Sequence, residues 1–206
     1  MVFLQPGRFR CGGTLVADQY VVTAAHCLFH SKKDAEPMSA WEVMATIGKH
    51  DLHTNTGKEK QVDIAEIFIH EGYNAATSRH DIAVLKLAEE VDIEIYTPAC
   101  MAQTSDEDTF YGKTALAYGW GALSYGGPSS DDLLEVEVSV VPPEQCAASM
   151  GRVHAGQICA GGELGRDSCQ VWQQSRSCQY SAGCVHRGTA AAPSPTGAVA
   201  STSSSE

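Results

Sequence analysis

Through about the first 145 residues apolar and polar positions alternate in short runs broken by polar turns, and no long window holds a helical period. That is an all-β pattern. The stretch "LEVEVSV" is its clearest case: Leu134, Val136, Val138 and Val140 point one way and Glu135, Glu137 and Ser139 the other, as in a half-buried antiparallel strand. In "GGTLVADQYVVTAAHC" two runs with β-branched residues flank Ala17, Asp18 and Gln19, which predicts a hairpin followed by a short apolar turn that carries His26. Three more strands are predicted in "WEVMATIG", "QVDIAEIFIH" and "DIAVLKL". A second apolar set, from residue 114 after the loop "QTSDEDTFYG", predicts a second β subdomain, with the boundary somewhere in 96–112. From Val171 the composition turns to Gln, Ser, Ala, Gly and Thr. The stretch "GTAAAPSPTGAVASTSSSE" has neither alternation nor an aromatic residue, so at least residues 187–206 are expected to be disordered.

Composition narrows the class. With 206 residues and 43% hydrophobic content, the chain has enough apolar material for one sizeable core or two packed subdomains. A net charge of −11 sets nucleic acid aside as a partner, because phosphate binding needs clustered Lys and Arg rather than surplus carboxylates. Eight cysteines outside paired CxxC units favour disulfides in an oxidising compartment over a structural zinc, so a secreted, extracellular protein is expected. The opening "MVFLQPGRFR" has an apolar run of only four residues, too short for a signal-peptide core, and no stretch supplies the run of apolar residues a membrane span needs. A truncated start is the expectation.

Two residues carry the first chemistry. His26 stands beside Cys27, with Cys11 upstream as a candidate partner for a disulfide that would fix the histidine's surroundings. Alone it could be an ordinary packed or surface histidine. Asp81, in "RHDIAVLKL", leads an apolar strand into the protein, where an unpaired carboxylate is expensive and a histidine ring N–H is a natural partner. Alone it could equally end a turn.

Taken together, "CGGTLV", "VVTAAHC", "HDIAVLKL", "YGWG", "PPEQC", "QICAGG" and "GRDSCQ" occur in the order found in the trypsin and chymotrypsin family of serine endopeptidases, and the chain resembles that family from Met1 to Gln170. The resemblance implies a chymotrypsin-like double antiparallel β-barrel with the active site between the barrels. It places an N-terminal barrel lacking its first strand in residues 1–95, a partial second barrel in 96–170 and a non-homologous, disordered tail in 171–206. It implies that His26 is the general base and that Asp81 holds its tautomer, the roles of a well-characterised triad. By the same resemblance Asp167 is the acidic floor of a pocket for Arg or Lys, although in isolation it could be a turn aspartate. The substrates implied are proteins or peptides, with no cofactor. Cys11 is expected to pair with Cys27 and Cys146 with Cys159, while Cys100 would tether a propeptide and Cys169 has lost its family partner.

The likeness stops at Gln170. Where the family continues GDSGGP, this chain has Val171, Trp172 and Gln173, then Gln174, Ser175 and Arg176. Gln173 holds the nucleophile's place, and an amide is not activated by a neighbouring imidazole. Val171 replaces a glycine whose backbone N–H helps form the oxyanion hole. Trp172 replaces the aspartate that receives the mature amino terminus, and the IVGG-type segment that would supply this terminus precedes the first residue here. Ser175, Ser177 and Ser181 lie outside a GxSxG-like turn. Cys178, Cys184 and His186 lack a defined fourth zinc ligand, and Lys49 stands at the first carboxylate position of the loop "GKHDLHTNTGKEKQ", which resembles the family's calcium loop, so no metal is expected. About half of the second barrel's strands are expected to be absent, leaving an apolar face and a tendency to aggregate or to need a partner. The expected protein is a trypsin-like serine endopeptidase by family, inactive as written and an incomplete or altered-frame product. A secreted pseudoprotease that binds proteins or peptides is the alternative, and a structural or interaction protein acting through its Ser-rich tail is a third reading.

Overall fold

The alternating runs of the first half pair into a ring. The computed structural model describes residues 1–31, 34, 36–101, 110–123, 127–150, 156–161, 182–186, 191–194 and 197–201. Strands β1 (Val2–Pro6), β2 (Cys11–Ala17), β3 (Tyr20–Thr23), β4 (Val43–Ile47), β5 (Lys60–Ile69) and β6 (Ala83–Leu87) form a closed barrel in the order β1-β2-β3-β6-β5-β4. The expected hairpin joins β2 to β3, with Ala17 opposite Tyr20. Where the sequence reading had this barrel lacking a first strand, Phe3 of β1 pairs with Gly12 on one side and Thr46 on the other, and the ring closes with six strands. Inward-facing Leu4, Val21, Val43 and Leu85 are essentially inaccessible to solvent and fill the barrel. Gly13 permits this packing: a Cβ there would meet Val21 Cγ1 at 2.6 Å and Leu4 Cδ1 at 3.1 Å. Trp41 and Glu42, expected in a strand, instead belong to a 3₁₀ turn, Ala40–Glu42. The Glu42 carboxylate accepts from the Ser39 N–H (2.8 Å) and the Glu42 N–H donates to the Ser39 carbonyl (3.0 Å), local bonds that compete with a ladder.

The second half is a sheet with an open edge at each end. Strands β7 (Thr114–Gly119), β8 (Leu134–Val141) and β9 (Gln157–Gly161) pair antiparallel in that order. The helix α1 (Pro143–Met150) sits between β8 and β9, with proline at its first position, where no amide is needed. Cys146 of α1 is bonded to Cys159 of β9, and Cys11 of β2 to Cys27. Strand β8 alternates as expected, but burial fades toward its start: Val138 and Val140 are in the core, whereas Leu134 is 46% exposed. Leu134 lies opposite Gly119, which offers it no side chain to pack against.

Within 171–206, where disorder was expected, three short segments run as strands: β10 (Ala182–His186) beside β9, β12 (Gly197–Ser201) parallel to β7, and β11 (Ala191–Ser194) outside β12. The rest of that segment lies outside the described residues. No described helix is long and apolar enough to cross a membrane.

Trp120 locks the halves together. Its indole N–H donates to the His50 carbonyl (2.8 Å), its ring meets Phe3 edge to face at 5.2 Å, and only 4% of it is exposed. The Leu133 N–H donates to the same carbonyl (2.8 Å), and the Leu52 N–H to the Asp131 carbonyl (2.9 Å). These bonds hold the end of the first barrel that faces the second sheet.

Candidate active site

His26 is carried by the 3₁₀ turn Ala25–Leu28, which follows β3 directly. Two restraints fix that turn. The disulfide from Cys27 ties it to the start of β2, closing a loop of a size worth about 3 kcal/mol in chain-entropy terms. Just ahead of it, the buried Thr23 hydroxyl donates to the Gly12 carbonyl at 2.8 Å.

Asp81 lies two residues ahead of β6, and at 5% exposure it is the only buried charged residue among the described residues. Its carboxylate meets His26 twice. Oδ1 accepts the His26 backbone N–H at 2.8 Å, and Oδ2 lies 2.6 Å from Nδ1 of the ring. A carboxylate at Nδ1 requires the ring proton on that nitrogen, which leaves Nε2 as the basic atom. Nε2 lies 3.8 Å from Cys27 Sγ, and about a quarter of the histidine side chain remains accessible. The backbone bond explains why β6 and the turn must meet here: it satisfies a buried carboxylate oxygen that the ring alone would leave short of donors.

Tyr73 completes the surroundings and is absent from the sequence reading, since "HEGYN" gives no periodic or motif signal for it. Its ring lies 5.5 Å from that of Phe29, next to the turn that bears His26. Burial pushes its hydroxyl up to about 12, and the negative charge of Asp81 adds to the shift. The neutral phenol is therefore favoured on folding. Its contribution is constant below the unfolded value near 10 and is lost as pH rises through about 12. Ultraviolet difference titration is expected to show one tyrosine ionising near pH 12, and Tyr73→Phe should remove that step; a step that survives the substitution would assign it elsewhere.

The structure thus brings His26 and Asp81 together, and it forms the Cys11–Cys27 and Cys146–Cys159 bonds. Asp167 and Gln173 lie outside the described residues, as do Cys169, Val171, Trp172, Ser175, Ser177, Ser181 and Cys178. Cys100 is exposed and unbonded.

A family model described as Trypsin matches residues 1–171. This chain is a member of the trypsin family. The matched segment ends one residue beyond Gln170, where the family's motif gives way to other sequence. Among relatives, a venom serine protease of Polistes dominula is 33% identical over 175 residues, which cover 82% of this chain and 60% of that protein. Trypsin I-P1 of Gallus gallus is 32% identical over 172 residues, covering 82% and 64%. Coagulation factor IX of Cavia porcellus is 34% identical over 167 residues, covering 78% and 55%. This trypsin-family chain therefore spans less than two-thirds of each of these relatives.

The loop that resembles a calcium site does not fit a divalent cation. The Lys49 ammonium donates to the Thr54 carbonyl at 2.7 Å, so a positive charge already engages one of the loop's oxygens, which a divalent cation would need as ligands. Glu59 is drawn down to about 2, chiefly by the Thr56 N–H, with Lys49 adding to it. Among the described residues, no cluster of three or more His, Cys, Asp or Glu is arranged to hold a metal.

Proposed function

We propose that this chain derives from a secreted, trypsin-like serine endopeptidase that cleaves proteins or peptides after Arg or Lys, and that the chain itself is inactive. The observation that carries the proteolytic reading is the two-point grip of Asp81 on His26. Held at its backbone and at Nδ1, the imidazole has one orientation and one tautomer, as a general base for a hydroxyl nucleophile requires. Asp167 is assigned the recognition of the cationic substrate side chain. Inactivity rests on Val171, Trp172 and Gln173, which replace the oxyanion glycine, the aspartate and the serine. Exposed Cys100 fits the propeptide tether, and the two disulfides fit an extracellular location.

An altered reading frame after the codon for Gln170 accounts for the abrupt change of sequence there. Sequencing of transcripts across that codon is expected to recover a GDSGGP-encoding segment in another frame or an adjacent exon. Repeated confirmation of the present sequence, with no such segment, would instead support the alternative, a non-enzymatic pseudoprotease that binds proteins or peptides through the retained barrel.

A further inference from the structure

Between β5 and β6 the chain makes an excursion that ends in Asp81. Its neck is closed by the His70 N–H, which donates to the Ile82 carbonyl at 3.1 Å, while the Ile82 N–H makes a local turn bond back to the His80 carbonyl at 2.8 Å. At this neck the His70 and His80 imidazoles lie face to face, with centroids 4.5 Å apart and planes 6° from parallel. Gly72 is the seat of the pair. A Cβ on it would come within 2.9 Å of His80 Cδ2 and 3.3 Å of two His70 ring atoms, so only glycine lets both rings approach. Its N–H donates to His70 Nδ1 at 2.9 Å.

His80 itself has a φ of 51°, in the left-handed region that side-chain-bearing residues rarely adopt. The next residue is Asp81. The direction in which the chain delivers that carboxylate is therefore set by a backbone conformation that needs support from outside, and the stacked ring supplies it.

We infer that the His70–His80 stack, seated on Gly72, is the strut that positions Asp81 against His26. The inference rests on the reading of His26 and Asp81 as base and orienting carboxylate, and it makes His70 and His80 positioning residues. The Gly72 N–H, donating to His70 Nδ1 at 2.9 Å, fixes the first ring, and that ring carries the second. The Tyr73 N–H donates to the His70 carbonyl at 2.9 Å and ties the same end of the excursion.

Proton NMR of the full chain tests this without any need for activity, through the far-downfield signal of the proton between His26 Nδ1 and Asp81. H80A removes one half of the strut and should weaken the signal severalfold at a fixed pH, whereas the double variant H70F/H80F keeps two stacked rings and should restore it to the level of the unmodified chain. H70A, which takes away the other ring, should weaken it as H80A does. Signals of equal strength in the unmodified chain and in whichever of H70A and H80A folds would overturn the inference, as would an H70F/H80F signal as weak as that of the alanine variants in a chain whose circular dichroism is unchanged. Absence of the signal from the unmodified chain would remove the His26–Asp81 pairing itself, and the inference with it.

Discussion

The purified 206-residue chain is expected to hydrolyse Arg- and Lys-amide substrates no faster than buffer, and to take up no stoichiometric label from a serine-directed phosphonylating reagent. The reason is quantitative. In enzymes of this chemistry, loss of the nucleophile alone lowers kcat by on the order of a millionfold, and loss of one oxyanion donor by about a hundredfold or more, the two being non-additive. Gln173 and Val171 put both losses within three residues of sequence. The intact half of the machinery does not compensate. In the proposed roles His26 and Asp81 only move and orient a proton, and Gln173 offers no hydroxyl to form the acyl intermediate that this transfer would serve. Turnover together with one-to-one labelling would show that a serine elsewhere has taken the place, with Ser175, Ser177 and Ser181 the first to map.

Leu85→Ala is expected to destabilise the protein by about 2–5 kcal/mol, the range for a fully buried leucine whose cavity cannot collapse. Leu85 has 0% exposure and sits mid-strand in β6, opposite Val21 of β3 on one side and Ile67 of β5 on the other. A ring of strands is poorly able to close over the void, because each neighbour is held in register on both edges. Lys86→Ala, one residue along and facing outward with an ion pair to Glu66 at 3.1 Å, is the matched control and should cost no more than about 1 kcal/mol. Denaturant unfolding separates the two, with the midpoint moving and the slope unchanged. Equal small losses for both variants would mean that the barrel interior does not carry the stability assigned to it.

The elements with one wet face were legible in the sequence, because alternation is a record of facing water on one side only. Strands β5, β6 and β8 follow from it, whereas the β2–β3 hairpin was found from its two β-branched runs about a polar turn, since β2 is buried from Cys11 to Leu15. Strand β1 escaped because it has no such record. Val2, Phe3 and Leu4 are all buried, Leu4 in the barrel and Phe3 against Trp120 of the other half, so the run shows no period of two and is too short to stand out by length. Trp41 and Glu42 misled for a different reason: a capping arrangement with Ser39 is local chemistry that hydrophobicity does not encode. At the site, His26 and Asp81 were identified by motif, yet the bond from the His26 backbone to Asp81 and the neighbouring Tyr73 follow only from three-dimensional placement. The converse holds after Gln170. There the chemistry is legible only as sequence, in the identities of Val171, Trp172 and Gln173.

The six strands of the ring lie between Val2 and Leu87, and that order has a consequence during synthesis. Domains fold as units, amino-terminal part first, while the chain is still being made. Every strand of the first barrel, the Cys11–Cys27 pair, His26 and Asp81 have all been translated before the ribosome reaches the codon for Gln170. Whatever message follows that codon is read after the segments that bring His26 and Asp81 together have already been made.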